Sequence, residues 1–444
     1  MTTLAQLEAY TSELTAAVNS FASHCSDFES PPEGTGRKTS QSSKAYRARR
    51  AILAHVNKIQ MLLSGPADFL QTLAAQNQLL SCLQWLGEFQ VLACIPLHGS
   101  VPISDVAELA GVPDIQLCRI IRMTATAGFL QESQPGQVAH TALSARFVTK
   151  PSYLDAAMFL AETAAPAALQ MAAATQRFGS SQQPYESAYN LAFNTSDTFA
   201  SSCEQRPHLQ RQWPAYLRYG MGDVDEGIMD ILTSMDQLRQ DNVTVVEVGA
   251  KTTERAVVLT NMYSSLNFIV QINGARARAT SRGGPLTPNS SMRQQPQHPR
   301  LTIQHRVLGT AQQVSNAAVY FLNLPCPVPG VPSNTVATRI ISELRAHVDV
   351  LRSRSSATLV LFPHLLPKPG SFSQEVDTVA YLRDLSLHQL ANEREMEMLE
   401  LMNMLNSVSD SNGRLVVVNK LRSRNNLAIV LEVRYKTYSE HQHG

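Results

Sequence analysis

The sequence predicts an α/β protein in which N-terminal helices and a winged helix-turn-helix precede a mostly parallel sheet with a terminal β-hairpin. The first observation is the spacing of apolar residues, which is helical over most of the first half of the chain. The second is an alternation of short apolar runs with helical segments from Thr244 onward, which implies parallel strands covered on both faces. The third is a pair of consecutive apolar runs near the end, "GRLVVVNKLR" and "LAIVLEVRYK", which is typical of a hairpin at one edge.

The composition limits the classes of function. The 37 Lys and Arg against 36 Asp and Glu give a formal net charge of +1, so the whole chain is neither a general polyanion binder nor an acidic solvating chain. Its six cysteines are scattered without a C-x-x-C pair, which indicates buried thiols in an intracellular protein and argues against a metal site. No apolar run approaches the roughly 18 residues that span a bilayer, and the first residues lack the basic segment of a secretory signal. We therefore expect a protein of the cytosol or nucleus with no membrane partner.

Changes in composition divide the 444 residues into segments, and this length suits two or three domains of roughly 150 residues each. A stretch rich in Arg, Pro, Ser and Gln between two predicted strands indicates a disordered insert. The predicted segments are an N-terminal helix at 1–30, a basic linker at 31–50, a helical and winged-helix domain at 51–178, a connector at 179–209, and an α/β domain at 210–440 with the insert at 274–300.

The basic linker carries a cluster of positive charge. Lys44, Arg47, Arg49 and Arg50 lie in a stretch that contains no Asp or Glu. Such a cluster is typical of a nuclear import signal or of a patch that contacts phosphates. A solvated helix face is an equally good interpretation, and the sequence leaves both open.

The pattern "ISDVAELAGV" followed by "PDIQLCRIIRMTATAGFL" predicts a helix, a tight turn at Gly111, and a second helix that begins near Asp114. The next segment, "FLQESQPGQVAHTALS", predicts a two-stranded wing. If the second helix read DNA, its exposed face would offer Gln116, Arg119 and Arg122, which is a thin set of base-reading and phosphate-binding groups. The alternative is an interface module, because the nearby "AAMFLAETAAPAALQMAAAT" suits burial between subunits. We expect the interface role and a homodimer, and direct DNA contact stays open.

The start of the α/β domain has the outline of a nucleotide-binding unit. The stretch "TVVEVGAKTTERAVVL" predicts a strand, a turn and a helix. A loop that cradles a phosphate or an adenosine is rich in Gly, because a Cβ would collide with the ligand or forbid the required backbone angles. Here the turn is Gly249, Ala250, Lys251, Thr252 and Thr253, so the outline remains and the later glycines are missing.

A winged helix followed by such a sheet resembles the small-molecule O-methyltransferases of plant and fungal secondary metabolism, whose sheet is Rossmann-like. In that family a Gly-rich loop receives S-adenosylmethionine, an acid after the second strand holds the ribose, and a His-Asp-Trp motif after the fourth strand supplies the base. Position by position, Glu247 and Gly249 match as remnants of the cofactor loop. The second strand ends in Ile272 and Asn273 instead of an acid, and "LNLPC" stands where the base belongs. His347 is expected at a helix surface or a strand end, away from the matching position. The resemblance therefore implies no cofactor, no catalytic residue and no metal.

A narrower resemblance covers exposed segments as well. "RARRAILAHVNKIQMLL", "AELAGVPDIQLCRIIRMTATAGFL" and "GRLVVVNKLRSRN" look like the methyltransferase-like transcriptional coregulators of fungal polyketide gene clusters. That family implies a nuclear, non-catalytic partner of a zinc-cluster transcription factor, with its helix-turn-helix at Ile103 to Ala125. Two alternatives remain: a methyltransferase-like pathway enzyme that catalyses a pericyclic or dehydration step, and an S-adenosylmethionine-dependent O-methyltransferase.

Overall fold

A computed structural model describes residues 3–24, 40–221, 224–250, 252–273, 299–325, 333–368, 374–423 and 428–438. The chain forms two compact units. Unit 1 comprises residues 1–173, 191–195 and 201–221, and unit 2 comprises residues 174–190, 196–200 and 222–444. The division before the α/β sheet therefore comes after Met221 and not at 209, as predicted. The predicted connector at 179–209 is shared between the units instead of linking them.

Thirteen helices precede the large sheet in the described residues up to 221. They are α1 (Thr3–Ala22), α2 (Ser40–Leu63), α3 (Pro66–Glu88), α4 (Val91–Cys94), α5 (Ile103–Ala110), α6 (Asp114–Thr126), α7 (Ala142–Thr149), α8 (Ser152–Phe159), α9 (Ala165–Leu169), α10 (Met171–Phe178), α11 (Ala188–Phe193), α12 (Phe199–Gln205) and α13 (Pro207–Tyr219). A single π-helical turn, Leu160–Ala164, joins α8 to α9.

Helices α1 and α2 pack against each other as a hairpin. Glu13 Oε2 lies 3.2 Å from His55 Nδ1, and the Lys58 ammonium lies 5.6 Å from the centre of the Tyr10 ring. Because the numbers rise on one helix as they fall on the other, the helices are antiparallel. The predicted linker at 31–50 is wrong from Ser40 onward, since α2 begins there. The sequence of α2 is polar, so the spacing of apolar residues did not predict a helix there. Two small residues one turn apart on α2, Ala45 and Ala48, are buried.

The helix, turn, helix and hairpin lie where the sequence predicts them. Helix α5 ends at Gly111, whose φ of 67° gives the left-handed cap that favours glycine, and α6 begins at Asp114. Strands β1 (Val101–Pro102), β2 (Leu130–Gln134) and β3 (Gln137–His140) form a small sheet in the order β1-β3-β2. This sheet packs with α3, α5 and α6 around a core of almost fully buried side chains: Leu86, Val106, Leu117, Ile121 and Leu130.

The Ala- and Met-rich segment is partly covered by helix α13. Helix α8 packs on α13, where the Phe159 ring lies 4.9 Å from the Tyr216 ring and 5.2 Å from the Trp213 ring. Phe159, Ala164 and Ala167 are buried without any second subunit. Helix α13 therefore covers part of the segment, whereas Leu169 and Met171 stay exposed, and burial of the segment between subunits stays a prediction.

Unit 2 contains a seven-stranded sheet in the order β11-β12-β8-β7-β4-β5-β6. The five strands from β8 to β6 are parallel, whereas β11 and β12 form an antiparallel hairpin at one edge, as predicted. The strands are β4 (Thr244–Ala250), β5 (Asn267–Asn273), β6 (Leu301–Arg306), β7 (Val319–Asn323), β8 (Thr358–Phe362), β11 (Gly413–Arg422) and β12 (Ile429–Thr437), and a separate short pair is β9 (Leu365–Leu366) with β10 (Met396–Glu397).

Helices cover both faces of this sheet. The described helices of unit 2 after residue 222 are α14 (Val224–Leu232), α15 (Glu254–Met262), α16 (Ser333–Ala346), α17 (Val348–Ser353), α18 (Gln374–Ala391) and α19 (Met398–Ser407). Successive residues of β4 alternate between two cores, with Val246 and Val248 on the side of α16 and α19, and Val245 on the side of α14 and α15. None of the helices in the described ranges is long and apolar enough to cross a membrane. The parallel order brings the carboxyl ends of β4, β7 and β8 together, which is where open α/β sheets bind ligands.

Candidate functional site

The remnant cofactor loop follows β4, and its carboxylate is bound by the chain itself. Glu247 is 2% exposed. Arg255, in the first turn of α15, donates through Nη1 to Glu247 Oε1 at 2.9 Å and to Asn323 Oδ1 at 2.8 Å. The amide of Asn323 donates through Nδ2 to the same Glu247 oxygen at 3.3 Å and to the Val248 carbonyl at 3.1 Å. The carboxylate therefore serves as an internal acceptor at the place where a ligand would bind.

An aromatic ring completes the enclosure of this ion pair. The Arg255 guanidinium lies 4.9 Å from the centre of the Phe362 ring at the end of β8, a cation–π distance. The side chains of Arg255 and Glu247 are only 14% and 3% exposed. A charge pair shielded from water in this way is costly to break, because removal of one partner leaves the other buried without compensation.

Gly249 is required by the backbone. Its φ is +70°, a left-handed conformation that glycine adopts without strain, and a Cβ there would lie 3.2 Å from the Asn323 carbonyl oxygen. The residue is therefore explained by packing between the turn and β7, whether or not a ligand binds. Thr253, at a position where the methyltransferase family has a glycine, is buried at the start of α15, and Lys251 lies outside the described residues.

A second polar cluster lies beside β5. The amides of Gln271 and Gln312 exchange hydrogen bonds at 2.9 and 3.0 Å, and Gln312 Nε2 lies 3.4 Å from His347 Nε2. His347 Nδ1 lies 2.7 Å from the Glu343 carbonyl, which can only accept, so Nδ1 carries the proton and Nε2 accepts from Gln312. Glu343 in turn forms a buried ion pair with Arg306 at 2.8 Å.

His347 was predicted at a surface, and this prediction was wrong because the residue is fully buried. Burial lowers the pKa of its imidazole to about 4, since the charged form loses its hydration. The ring is therefore neutral near pH 7, and both nitrogens are engaged within the chain. These contacts make His347 a structural residue of the core and a poor candidate for a general base.

The three helix-turn-helix candidates differ in their contacts within the chain. Gln116 and Arg119 are exposed on α6. Arg122 forms a bidentate pair with Glu132 of β2, through Nε at 3.0 Å and Nη2 at 3.3 Å. This pairing raises the pKa of Arg122 and lowers that of Glu132. Arg122 therefore fixes α6 to the hairpin, and its charge is largely matched.

The charge around this motif is unfavourable for duplex DNA. Residues 103–140 contain four carboxylates and two arginines, and Asp114 places one carboxylate in the first turn of α6. Phosphate contacts in protein–DNA complexes rely on Lys, Arg and helix N-termini. The same surface exposes 71% of Leu109 and 67% of Ile115, which favours contact with protein.

The basic cluster lies on α2, within unit 1. Lys44, Arg47 and Arg49 are exposed, and Arg50 is half-buried. The four residues occupy two turns of one helix, so they present a concentrated positive charge. Within the described ranges, no group of three or more His, Cys, Asp or Glu could hold a metal ion.

Comparisons with known proteins identify the family. Residues 4–64, which include α1 and α2, match the model of the trypacidin cluster transcriptional coactivator tpcD N-terminal domain. The chain is 51% identical to the monodictyphenone cluster transcriptional coactivator mdpA of Emericella nidulans, over 99% of this chain and 100% of that protein. It is 45% identical to the trypacidin cluster transcriptional coactivator tpcD of Aspergillus fumigatus, over 99% and 98%. The chain belongs to this family of transcriptional coactivators of fungal secondary-metabolite clusters.

Solved structures of enzymes share the fold of this coactivator family member. The crystal structure of OxaC aligns with a TM-score of 0.60 at 16% identity, over 98% of this chain and 100% of that one. The mitomycin 7-O-methyltransferase MmcR aligns with a TM-score of 0.55 at 18% identity, over 88% and 100%. At this identity the likeness shows the fold alone, and it confirms the predicted methyltransferase-like architecture.

Sequence reasoning missed the partner of Glu247. Arg255 follows Glu247 by eight residues, at the first turn of the helix after the loop. An arginine at that place, beside a degenerate loop, is a signal that could have suggested the internal pair. The contact of Asn323 with Glu247 could not be predicted from the sequence, because it depends on β7 lying beside β4 in the sheet.

We expect Arg255→Ala to lower the free energy of unfolding of unit 2 by about 3 kcal/mol, because it leaves Glu247 buried without its cation. Both tryptophans, Trp85 and Trp213, lie in unit 1, so in urea their fluorescence follows unit 1, and the part of the far-UV circular dichroism change that does not coincide with it follows unit 2. The matched control is Arg239→Ala, which removes an ion pair with an exposed Asp236 and should change stability by less than about 0.5 kcal/mol. Equal losses in the two variants would contradict a structural role for the buried pair.

The lowered pKa of His347 makes stability depend on pH. Above about pH 6.5 the imidazole is neutral in both states, whereas below it the unfolded chain binds a proton that the folded chain excludes down to about pH 4. Stability should therefore fall as the pH falls through this window, by on the order of 3 kcal/mol from this group. Thermal melts of wild type and His347→Gln between pH 7.5 and 4 test this, since the variant should lose this part of the pH dependence. His388→Gln, at an exposed position of α18, is the control, and an unchanged slope in His347→Gln would refute the assignment.

Proposed function

We propose that the chain is a non-catalytic transcriptional coactivator that works in the nucleus with a pathway-specific zinc-cluster transcription factor. Together they would activate a fungal gene cluster for a polyketide of the anthraquinone type. The observation that carries this proposal is the similarity, over essentially the whole chain, to proteins named as transcriptional coactivators of the monodictyphenone and trypacidin clusters. The matched segments include the N-terminal hairpin, so the similarity is not limited to the sheet that enzymes share.

The site geometry supports the absence of catalysis. A methyltransferase loop must keep a carboxylate and glycines available to the cofactor, and the carboxylate of Glu247 is bound to Arg255 and Asn323. The chain after β7 continues as Leu324 and Pro325, and Leu324 packs into the core. Among the described residues after β7, Leu324 and Pro325 offer no group that could remove a proton from a substrate hydroxyl, which supports a non-catalytic role.

The surfaces support recruitment by another DNA-binding protein. A protein that binds DNA alone gains most of its affinity from phosphate contacts, each of which needs an available cation. The motif at 103–140 has an excess of carboxylates, and one of its two arginines is held by Glu132. A coactivator bound to a zinc-cluster factor needs contact area more than base-reading groups, and exposed Leu109 and Ile115 supply such area.

Deletion of the gene from the fungus that carries it tests the proposed function. A coactivator's loss should lower the transcripts of the whole cluster together, by roughly tenfold or more, without accumulation of one intermediate. RNA sequencing and metabolite profiling of the same cultures give both readouts. Complementation with the wild-type gene should restore the transcripts. Unchanged transcripts with a single accumulating intermediate would instead establish a pathway enzyme.

The basic cluster on α2 is proposed to direct nuclear import. Replacement of Lys44, Arg47, Arg49 and Arg50 by Gln should move a fluorescent fusion from the nucleus to the cytoplasm and reduce cluster transcripts. The control replaces three exposed basic residues of the β11 strand, Arg414, Lys420 and Arg422, and should leave the fusion nuclear. Nuclear fluorescence in both variants would show that import depends on another signal.

A further inference from the structure

An open cavity lies beside α16 in unit 2. Its volume is about 640 Å³, and it is lined by five residues of α16 and by Gly309 and Ala311 of the segment that leads from β6 to β7. Small-molecule sites in proteins typically occupy roughly 300–1,000 Å³. None of the lining residues belongs to the turn after β4 or to the cluster around Arg255, so the cavity is separate from the remnant cofactor loop.

Helix α16 has two different faces. One face is buried in the core of the α/β unit through Val336, Ile340 and Leu344. The residues that line the cavity recur at helical spacing along a second stripe: Thr338, Ile341, Ser342, Arg345 and Ala346. This stripe forms one continuous wall of the cavity.

The opposite wall is held in place by hydrogen bonds to α16. The backbone N–H of Gly309 donates to the carboxylate of Glu343, which is fully buried. The backbone N–H of Gln312 donates to the Ala346 carbonyl oxygen at 2.9 Å. Segment 309–312 is thus fixed against the helix at both ends. A wall that is fixed before binding has little conformational freedom to lose when a ligand arrives.

The lining carries one positive charge. Arg345 is exposed, and within the described part of the chain its guanidinium has no carboxylate at ion-pair distance. The other six lining residues are uncharged. An available guanidinium favours an anionic partner, above all a carboxylate, because the two groups form parallel charge-assisted hydrogen bonds.

The remaining lining residues favour a flat and weakly polar ligand. Gly309, Ala311 and Ala346 have no side chain or a single methyl group, so they leave a smooth surface, and Ile341 adds apolar contact. The hydroxyl group of Ser342 can donate to or accept from an oxygen substituent. A fused aromatic ring system suits such a surface, because it offers a large apolar area without internal rotations that binding would freeze.

We propose that this cavity binds an aromatic carboxylic acid in its ionised form, with the carboxylate on Arg345 and the rings against Ala311 and Ile341. The position of Arg345 in the last turn of α16 offers another account of this residue, since a cation there offsets the carbonyl end of the helix. That account requires no ligand, so a binding measurement separates the two.

Equilibrium dialysis of the purified full-length chain against anthraquinone-2-carboxylate at neutral pH tests the site, with ring absorbance as the readout. We expect saturable binding, and about tenfold weaker binding of anthraquinone-2-carboxamide, which keeps the rings but loses the negative charge. Arg345→Gln should weaken binding of the carboxylate by about tenfold and leave that of the carboxamide unchanged. The matched control is Arg339→Gln, which removes an exposed charge from the same helix outside the lining and should bind both compounds as wild type does.

A substitution that fills the cavity locates the site independently of charge. Ala311 is exposed, so Ala311→Phe adds a ring at the lining without repacking the core, and it should weaken binding of both compounds by about tenfold or more. Val307→Phe is the control, because Val307 is 58% exposed on the same segment and does not line the cavity. Far-UV circular dichroism checks that each variant is folded.

Three results would overturn the proposal. The first is wild-type protein that binds no anthraquinone-2-carboxylate at concentrations up to about 1 mM. The second is equal affinity of wild type and Arg345→Gln for the carboxylate, which would leave Arg345 as a helix-end charge only. The third is undiminished binding by folded Ala311→Phe, which would place the ligand elsewhere. Because the measurements use the isolated chain and a small molecule, their outcome is separate from that of the transcript test.

Discussion

Arg255 joins the carboxyl ends of three neighbouring parallel strands. Its guanidinium binds Glu247 of β4 and Asn323 of β7, and it lies over the ring of Phe362 at the end of β8. In open α/β sheets this edge receives ligands, because the strand ends and the following turns form a crevice there. In this protein the Arg255 side chain connects the ends of these three strands.

The large sheet was predictable because its signals are local. Strand lengths, the alternation with helices and the closing hairpin are all visible in the order of apolar and polar residues. Gly249 could be placed for the same reason, since a strand that ends in a tight turn needs a residue that tolerates positive φ. These features hold whatever the chemistry of the loop, which explains how a methyltransferase-like fold persists in a coactivator family.

The features that could not be predicted depend on contacts between distant segments. Helix α2 has a polar sequence, and its position is set by α1 through small buried residues such as Ala48. The burial of His347 depends on Gln312 and Gln271, which lie 35 and 76 residues away in sequence. The composition of the Ala-rich segment likewise does not show that Trp213 and Tyr216 cover Phe159 within it. Composition thus identified apolar surfaces but not which element would cover each of them.

The stabilisation that a bound cofactor supplies can be compared with the cost of breaking the buried Arg255–Glu247 ion pair. A cofactor present at 100 times its dissociation constant stabilises the folded state by about 2.7 kcal/mol. Breaking a buried ion pair by removal of one partner costs a similar amount, about 3 kcal/mol or more. That cost measures the uncompensated charge left behind and not a net gain from the pair, so Arg255 keeps the buried Glu247 carboxylate compensated without any ligand.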